Sequence, residues 1–274
     1  MSRLTVPTAV RRFSDGRFVS RPDVVAGEEP LEIRVDGVSL TTTMRTPGAD
    51  IDLVHGFLHA EGVITAAGDV REARYCDGVD ADGRQTYNVL DVERARSAVP
   101  PTPIIARSFP TTSACGVCGS ASIEALQRDL RHPLDDGIAV QPAVLQALPD
   151  RLRERQRTFQ RTGGVHAAAL VTSAGEITLV REDVGRHNAV DKVIGALLLQ
   201  GRVPVRDAFL LTSSRASYEL VQKAAMAGVG LLVAVSAPSS LAVDLARATG
   251  MTLVGFTSSR GFNVYCGPQR IVGA

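Results

Sequence analysis

"AFLLTSSRASYELVQKAAMAGVGLLVAVSA", residues 208–237, decides the fold. An apolar run over 208–211 ends in a polar break, helical spacing follows over 218–228, and a second apolar run begins at Leu231. Strands that are apolar on both faces, alternating with helices, predict a sheet buried between helical layers. The alternation extends outward in both directions. "GVHAAALVT" (164–172) and "EITLVRED" (176–183) read as strands and "HNAVDKVIGALLLQ" (187–200) as a helix. Beyond the quoted unit, "SLAVDLARAT" (240–249) reads as a helix, and "MTLVGF" (251–256) and "FNVYC" (262–266) as strands. Ligands of such sheets sit beyond the carboxyl ends of the strands, so the polar segments 181–187, 212–215, 236–240 and 257–260 are where chemistry is expected.

The N-terminal part has a different rhythm. In "EEPLEIRVDGVSLTTTMRTPG", Leu31, Ile33 and Val35 alternate with charged residues, and Asp36-Gly37 predicts a hairpin whose second strand runs to Met44. "ADIDLVHGFLHAEGVI" then takes helical spacing, with Ile51, Val54, Phe57 and Leu58 on one face. Short strands are expected over 71–76 and 86–92. The first twenty or so residues show no clear period and read as a loose arm. The chain thus divides into an α+β roll over 1–112, a CxxC loop with a helical linker over 113–160, and an α/β domain over 161–274.

Composition narrows the function classes. The chain has 274 residues, 45% of them hydrophobic, and a net charge of +1. A near-neutral chain lacks the basic face that duplex nucleic acid requires, so no nucleic-acid partner is expected. No apolar run approaches the ~18 residues of a membrane span, and the N-terminal stretch lacks the apolar core of a secretory signal. A cytoplasmic protein with no membrane partner is the expectation. Of the 30 basic residues only Lys192 and Lys223 are lysines; arginine's planar fork suits bidentate phosphate contacts.

Two of the four cysteines form "SACGVCGSAS", residues 113–122. Zinc would need two further thiolates or imidazoles, and neither a second CxxC nor a matching histidine pair is present. His55 and His59 have the spacing of a zinc-protease helix, but Gly56 stands where its glutamate belongs, so they read as core histidines. A helical stretch after the CxxC would lower a thiol pKa, and Gly116 and Gly119 favour an exposed thiol that reaches a partner. The residues themselves leave half of a metal site, a redox couple, a sulfur-handling nucleophile and two small core cysteines all open. The H-x-E…P-C-x-x-C pattern of zinc deaminases fails, because His166 is followed by two alanines and the CxxC lies upstream. No deaminase chemistry is expected.

Neither the dinucleotide fingerprint nor the P-loop is present. Yet "REDVGRHNAVDK" sets Arg186, His187 and Asn188 at the start of a helix after a strand, where free amides accept anions. "TSSRAS" repeats this with Ser213, Ser214 and Arg215, and "SAPSS" and "FTSSRG" add two more loops. Together they predict a pocket for a large, phosphate-bearing ligand.

The blocks "EEPLEIRVDG", "MRTPG", "CGVCG", "RTGGVHAAAL", "REDVGRHNAVDKVIG", "SRASYELVQKAAMAGVGLLVAVSAPSSLAV", "LVGF" and "FNVY", in that order, resemble the FdhD family of formate dehydrogenase accessory sulfurtransferases over nearly the whole chain. The resemblance implies a three-layer, cytidine deaminase-like C-terminal domain with a smaller α+β N-terminal domain, commonly as a homodimer. It implies a carrier that takes persulfide sulfur from a cysteine desulfurase and passes it to the Mo-bis(molybdopterin guanine dinucleotide) cofactor before insertion into formate dehydrogenase. The cofactor, with molybdenum or tungsten, is bound as substrate, and no tightly held metal of the protein's own is implied. Carried over by position, Cys115 is the persulfide carrier and Cys118 its partner in exchange or resolution. Phe256, Thr257, Ser258, Ser259, Arg260 and Gly261 match the cofactor-binding stretch. The sequence departs from the family there, reading "FTSSRGFNVYCGPQR" where relatives often have a Gly-Arg pair and then Tyr-Thr-His-Pro. Arg186, His187, Arg215 and Arg260 are the expected phosphate contacts. A cofactor chaperone without sulfur chemistry is the alternative from another class, and a thiol oxidoreductase a third.

Overall fold

The computed structural model describes residues 4–76, 78, 86–95, 130, 132–134 and 137–274. Strands β1 (Thr5–Ser14) and β2 (Arg17–Ala26) pair antiparallel in full register from Thr5↔Ala26 to Ser14↔Arg17. This corrects the expected loose arm. Asp15 and Gly16 take φ of 52° and 74°, the left-handed pair that a tight hairpin turn needs. The ribbon hides its period because nearly all of its residues are exposed on both faces.

Strands β3 (Glu29–Val35) and β4 (Val38–Arg45) form the expected hairpin around Asp36-Gly37. With β5 (Val70–Tyr75) and β6 (Val89–Arg94) they make a sheet of order β4-β3-β6-β5. Helix α1 (Asp50–Ala60) covers it, packing Leu53, Val54 and Leu58 against Leu31, Ile33, Leu90 and Val92.

In the C-terminal region come α2 (Pro142–Arg155), α3 (Arg157–Thr162), β7 (His166–Thr172), β8 (Ile177–Asp183), α4 (Arg186–Leu199) and β9 (Ala208–Thr212). They are followed by α5 (Tyr218–Met226), β10 (Leu231–Ala234), α6 (Ser240–Thr249), β11 (Thr252–Ser258) and β12 (Gly261–Cys266). The sheet order is β12-β11-β10-β9-β7-β8. Strands β9, β10 and β11 are mutually parallel, whereas β12 runs antiparallel to β11 and β7 antiparallel to both β8 and β9. Alternate strand residues feed two cores. Ala168, Leu170, Leu210, Leu232 and Leu253 face α4, α5 and α6. Ala167, Ala169, Phe209, Leu211, Val233 and Val254 face α2, which was expected as part of a linker and here brings Leu145, Leu148 and Leu152 to the sheet. The molecule is a mixed α/β protein with an N-terminal sheet-and-helix region and a larger helix–sheet–helix region.

Helices α1 and α4 join the two regions. They cross at Gly56 and Gly195, so closely that a Cβ on Gly56 would collide with the Asp191 carbonyl and one on Gly195 with the Asp52 carbonyl. Lodged between a sheet and α4, α1 is buried almost all round, and His55 and His59 are 3% and 2% exposed. The His55 Nδ1 lies 2.8 Å from the Ile51 carbonyl oxygen.

Candidate functional site

The sheet register aligns five segments along one edge. The carboxyl ends of β8, β9, β10 and β11 point the same way, and β7, running opposite, begins there. In strand order the row reads Phe256 to Gly261, then 235–239, 213–215, 163–166 and 183–187. At about 4.8 Å between strands, four intervals span ~19 Å. Hydrogen bonds tie neighbours together: Phe256 N donates to Ser236 O (3.2 Å), Ser239 N to Ala216 O (3.0 Å), Ser213 N to Ala167 O (2.9 Å), and Ala167 N to Ser213 Oγ (2.9 Å).

The structure therefore gathers Arg186, His187, Arg215 and the stretch Phe256 to Gly261 at one sheet edge. Cys115 and Cys118 lie outside the described residues. Along the stretch, Phe256, Ser259 and Arg260 are exposed, as is Arg215. Thr257 is buried and donates its hydroxyl to Ala234 O at 2.9 Å. Ser258 Oγ donates to Gly261 O at 3.2 Å across the turn into β12. The helix that follows each strand opens on the same edge, at Gly185 for α4, Ser217 for α5 and Ser239 for α6. Ser239 caps its helix, accepting from Ala242 N at 3.3 Å, so that amide is engaged within the fold.

Charge at the edge is arranged around the start of α4. The His187 Nε2 lies 2.7 Å from Glu219 Oε2 and 3.2 Å from Ser217 Oγ, which pins α4 to α5. That bond to His187 holds the Glu219 carboxyl below its ordinary range, against the opposing effect of burial. Arg186 Nε is buried and has no hydrogen-bond partner among the described residues. An unpaired buried donor is costly, and an incoming anion would satisfy it. Burial, with the charges of Arg186 and His187, holds the His166 imidazole below its ordinary 6.5.

The N-terminal region fixes this loop from behind. Asp183, fully buried, receives Thr46 N at 3.1 Å and pairs with Lys192 Nζ at 2.7 Å. Asn188 donates to Met44 O (2.8 Å) and Asp183 Oδ1 (3.1 Å), and Lys192 donates to Thr46 O (2.8 Å). Sequence reasoning missed this role of Asp183, Asn188 and Lys192. Its only trace in the sequence is that charged residues occupy α4 positions whose spacing otherwise reads as core.

Two cysteines are described, Cys76 and Cys266, both half-buried. Burial pushes the Cys266 thiol up from its usual 9.0, and its Sγ donates to Met251 O, which makes it a poor nucleophile. Among the described residues no cluster of three or more metal-ligating side chains occurs. Nor is any described helix long and apolar enough to cross a membrane.

Comparison with known proteins bears on the same elements. The FdhD/NarQ family pattern matches residues 26–272. The sulfur carrier protein FdhD of Streptomyces avermitilis is 52% identical over 273 residues, covering 99% of this chain and 97% of its own. The sulfur carrier protein FdhD of Nocardia farcinica is 54% identical over 270 residues, covering 98% and 95%. A crystal structure designated a formate dehydrogenase accessory protein, from Desulfotalea psychrophila, superposes with a TM-score of 0.76 at 25% identity, covering 98% of this chain and all of that one. Sequence from one end to the other and fold over the same span agree, and this chain belongs to the FdhD/NarQ family.

Proposed function

We propose that this protein is a sulfur carrier and sulfurtransferase that supplies sulfur to the molybdenum cofactor of formate dehydrogenase. The family membership supports the activity. The row of strand-end loops supports the cargo, and the observation that carries it is the buried Arg186 Nε, a guanidinium donor without an acceptor at the edge where anions are received. The cargo is the Mo-bis(molybdopterin guanine dinucleotide) cofactor as substrate, held by Arg186, His187, Arg215 and the stretch Phe256 to Gly261.

Sulfur moves by thiol exchange. The Cys115 thiolate attacks the outer sulfur of a cysteine desulfurase persulfide; the donor S–S bond breaks, the desulfurase leaves as a thiolate, and Cys115 carries the second sulfur. Cys118 serves exchange or resolution of that persulfide. The reading places the protein in the reducing cytoplasm as a homodimer, with the desulfurase and formate dehydrogenase as its protein partners. A kinship of the C-terminal region with cytidine deaminases is supported by the mixed sheet with helices on both faces.

The test loads the purified protein with a desulfurase and cysteine and follows a sulfur-mass adduct by peptide mass spectrometry. The adduct is expected on Cys115 and absent from Cys115→Ala. A folded Cys115→Ala protein that restores formate dehydrogenase fully would favour a cofactor chaperone without sulfur chemistry.

A further inference from the structure

The β1–β2 ribbon is a two-stranded sheet of its own, and nearly all of its residues are exposed. Such a hairpin, with no third strand, is marginal in water unless something packs on it. Its register says which surface is open to a partner. Ser14 and Arg17 close the two-residue turn and exchange both hydrogen bonds, so bonded and non-bonded pairs alternate from there toward the root. Pro7↔Val24 and Ala9↔Pro22 fall on non-bonded pairs, whose backbone groups point to the open edges. Proline has no N–H to offer there, so each edge is interrupted against a further strand. The faces remain. Residues paired across the ribbon share a face, which puts Pro7, Ala9, Phe13, Phe18, Pro22 and Val24 together on one. Phe13 and Phe18 are 61% and 62% exposed near the tip, their ring centroids 5.0 Å apart, with the Arg11 guanidinium 5.2 Å from the centroid of the Phe18 ring. Aromatic rings and arginine are the residue types that anchor protein interfaces.

Charge identifies the surface that fits. Arg11, Arg12, Arg17 and Arg21 all lie in the outer half of the ribbon, where Asp15 at the turn is the one carboxylate. A closed pairing of two copies would lay this patch on its own image, guanidinium against guanidinium, so a second copy does not fit it. An apolar hollow rimmed with carboxylates does. The root fixes where that surface must be. Helix α3 packs against β2, and a Cβ on Gly164 would lie 3.4 Å from the Ala26 Cβ, so the ribbon springs from beside segment 163–166 of the loop row. A protein that takes the cofactor from this edge meets the ribbon as it docks. All of the ribbon but Ala26 lies outside residues 26–272, the span of the family pattern, which suits an element turned to this chain's own partner.

We propose that the β1–β2 ribbon is the arm that grips formate dehydrogenase, laying Phe13 and Phe18 on an apolar, carboxylate-rimmed surface beside the opening through which that enzyme takes its cofactor. The inference rests on the reading that the cofactor leaves the sheet edge for that enzyme.

The test measures binding of cofactor-free formate dehydrogenase from the same organism to the full chain by biolayer interferometry. Wild type is compared with Phe13→Ser/Phe18→Ser and with a variant combining Arg11→Gln, Arg12→Gln, Arg17→Gln and Arg21→Gln. The phenylalanine variant is expected to dissociate about tenfold faster or more. The arginine variant is expected to associate about tenfold more slowly and to lose most of the salt dependence. Persulfide loading of Cys115 by the desulfurase should be unchanged in both. Wild-type protein that does not bind the enzyme overturns the partner reading, and the arm with it. Enzyme binding at wild-type strength in either variant overturns the arm alone. If it is instead desulfurase loading or dimerisation that the variants lose, the ribbon serves that partner and the proposal falls. If a variant does not fold, hydrogen exchange of residues 5–26 in wild-type protein decides: their amides gain protection when the enzyme is added, and amides that exchange as before overturn the arm.

Discussion

Phe256 presents its ring to solvent, 52% exposed, from a backbone with φ of 52°, at the point where the pairing of β11 with β12 slips. A bulky side chain in the left-handed region is disfavoured, and here the ring gains no core packing in return. Phe256→Gly is therefore expected to leave unfolding stability unchanged or to raise it by about 1 kcal/mol in urea titrations, while cofactor affinity drops. A clear loss of stability would contradict the strain argument. His166 yields a second prediction. A histidine whose folded pKa is depressed contributes stability that is present above 6.5 and lost as pH falls through the folded value. The ring should titrate below 6.5 by NMR, and His166→Gln should remove that part of the stability decline on acidification. The stretch Phe256 to Gly261 stands out in the sequence only through its resemblance to a family block. The backbone strain was not legible there, because φ depends on the bulge and not on residue type.

Between elements, the crossing of α1 and α4 is the tightest contact described. Gly56 read in the sequence only as the absence of a catalytic glutamate between two histidines. The structure gives it a reason, since no side chain fits against the Asp191 backbone. Gly56→Ala, like Gly195→Ala, is expected to lower stability by about 3 kcal/mol or more, because the colliding atoms are main chain and cannot turn aside. Thermal melts check this, and a variant melting within a degree or two of wild type would show that the helices can separate cheaply. The β1–β2 ribbon teaches the converse. Its turn signal, Asp15-Gly16, is of the same kind as the Asp36-Gly37 that predicted the next hairpin, but with both faces exposed no apolar alternation flags the strands.

Over the whole molecule, the blocks "MRTPG" and "REDVGRHNAVDK", far apart in sequence, meet in one buried network. Lys192 and Asp183 are 1% and 0% exposed, and through Thr46 and Asn188 they lock the N-terminal sheet to the loop that carries Arg186 and His187. Removing one partner strands the other charge. Lys192→Met is expected to cost about 3–5 kcal/mol in denaturant unfolding, and adding Asp183→Asn to it should recover part of the loss. A single variant as stable as wild type would mean that the loop is anchored some other way.

The sequence by itself determined the layered α/β order, the β3–β4 hairpin and the family, because period, turn chemistry and short motifs act over a few neighbouring residues. It also put the polar strand-end loops along one sheet edge, since that edge follows from strand direction. Only the tertiary structure decided that α2 closes the second face of the sheet, that Gly56 and Gly195 must be glycines, that Arg186 Nε is left without a partner among the described residues, and that Thr46, Asp183 and Lys192 share one network. Each of these depends on which distant groups come within bonding distance and on how much water is excluded there, and neither quantity is a property of a local stretch of chain.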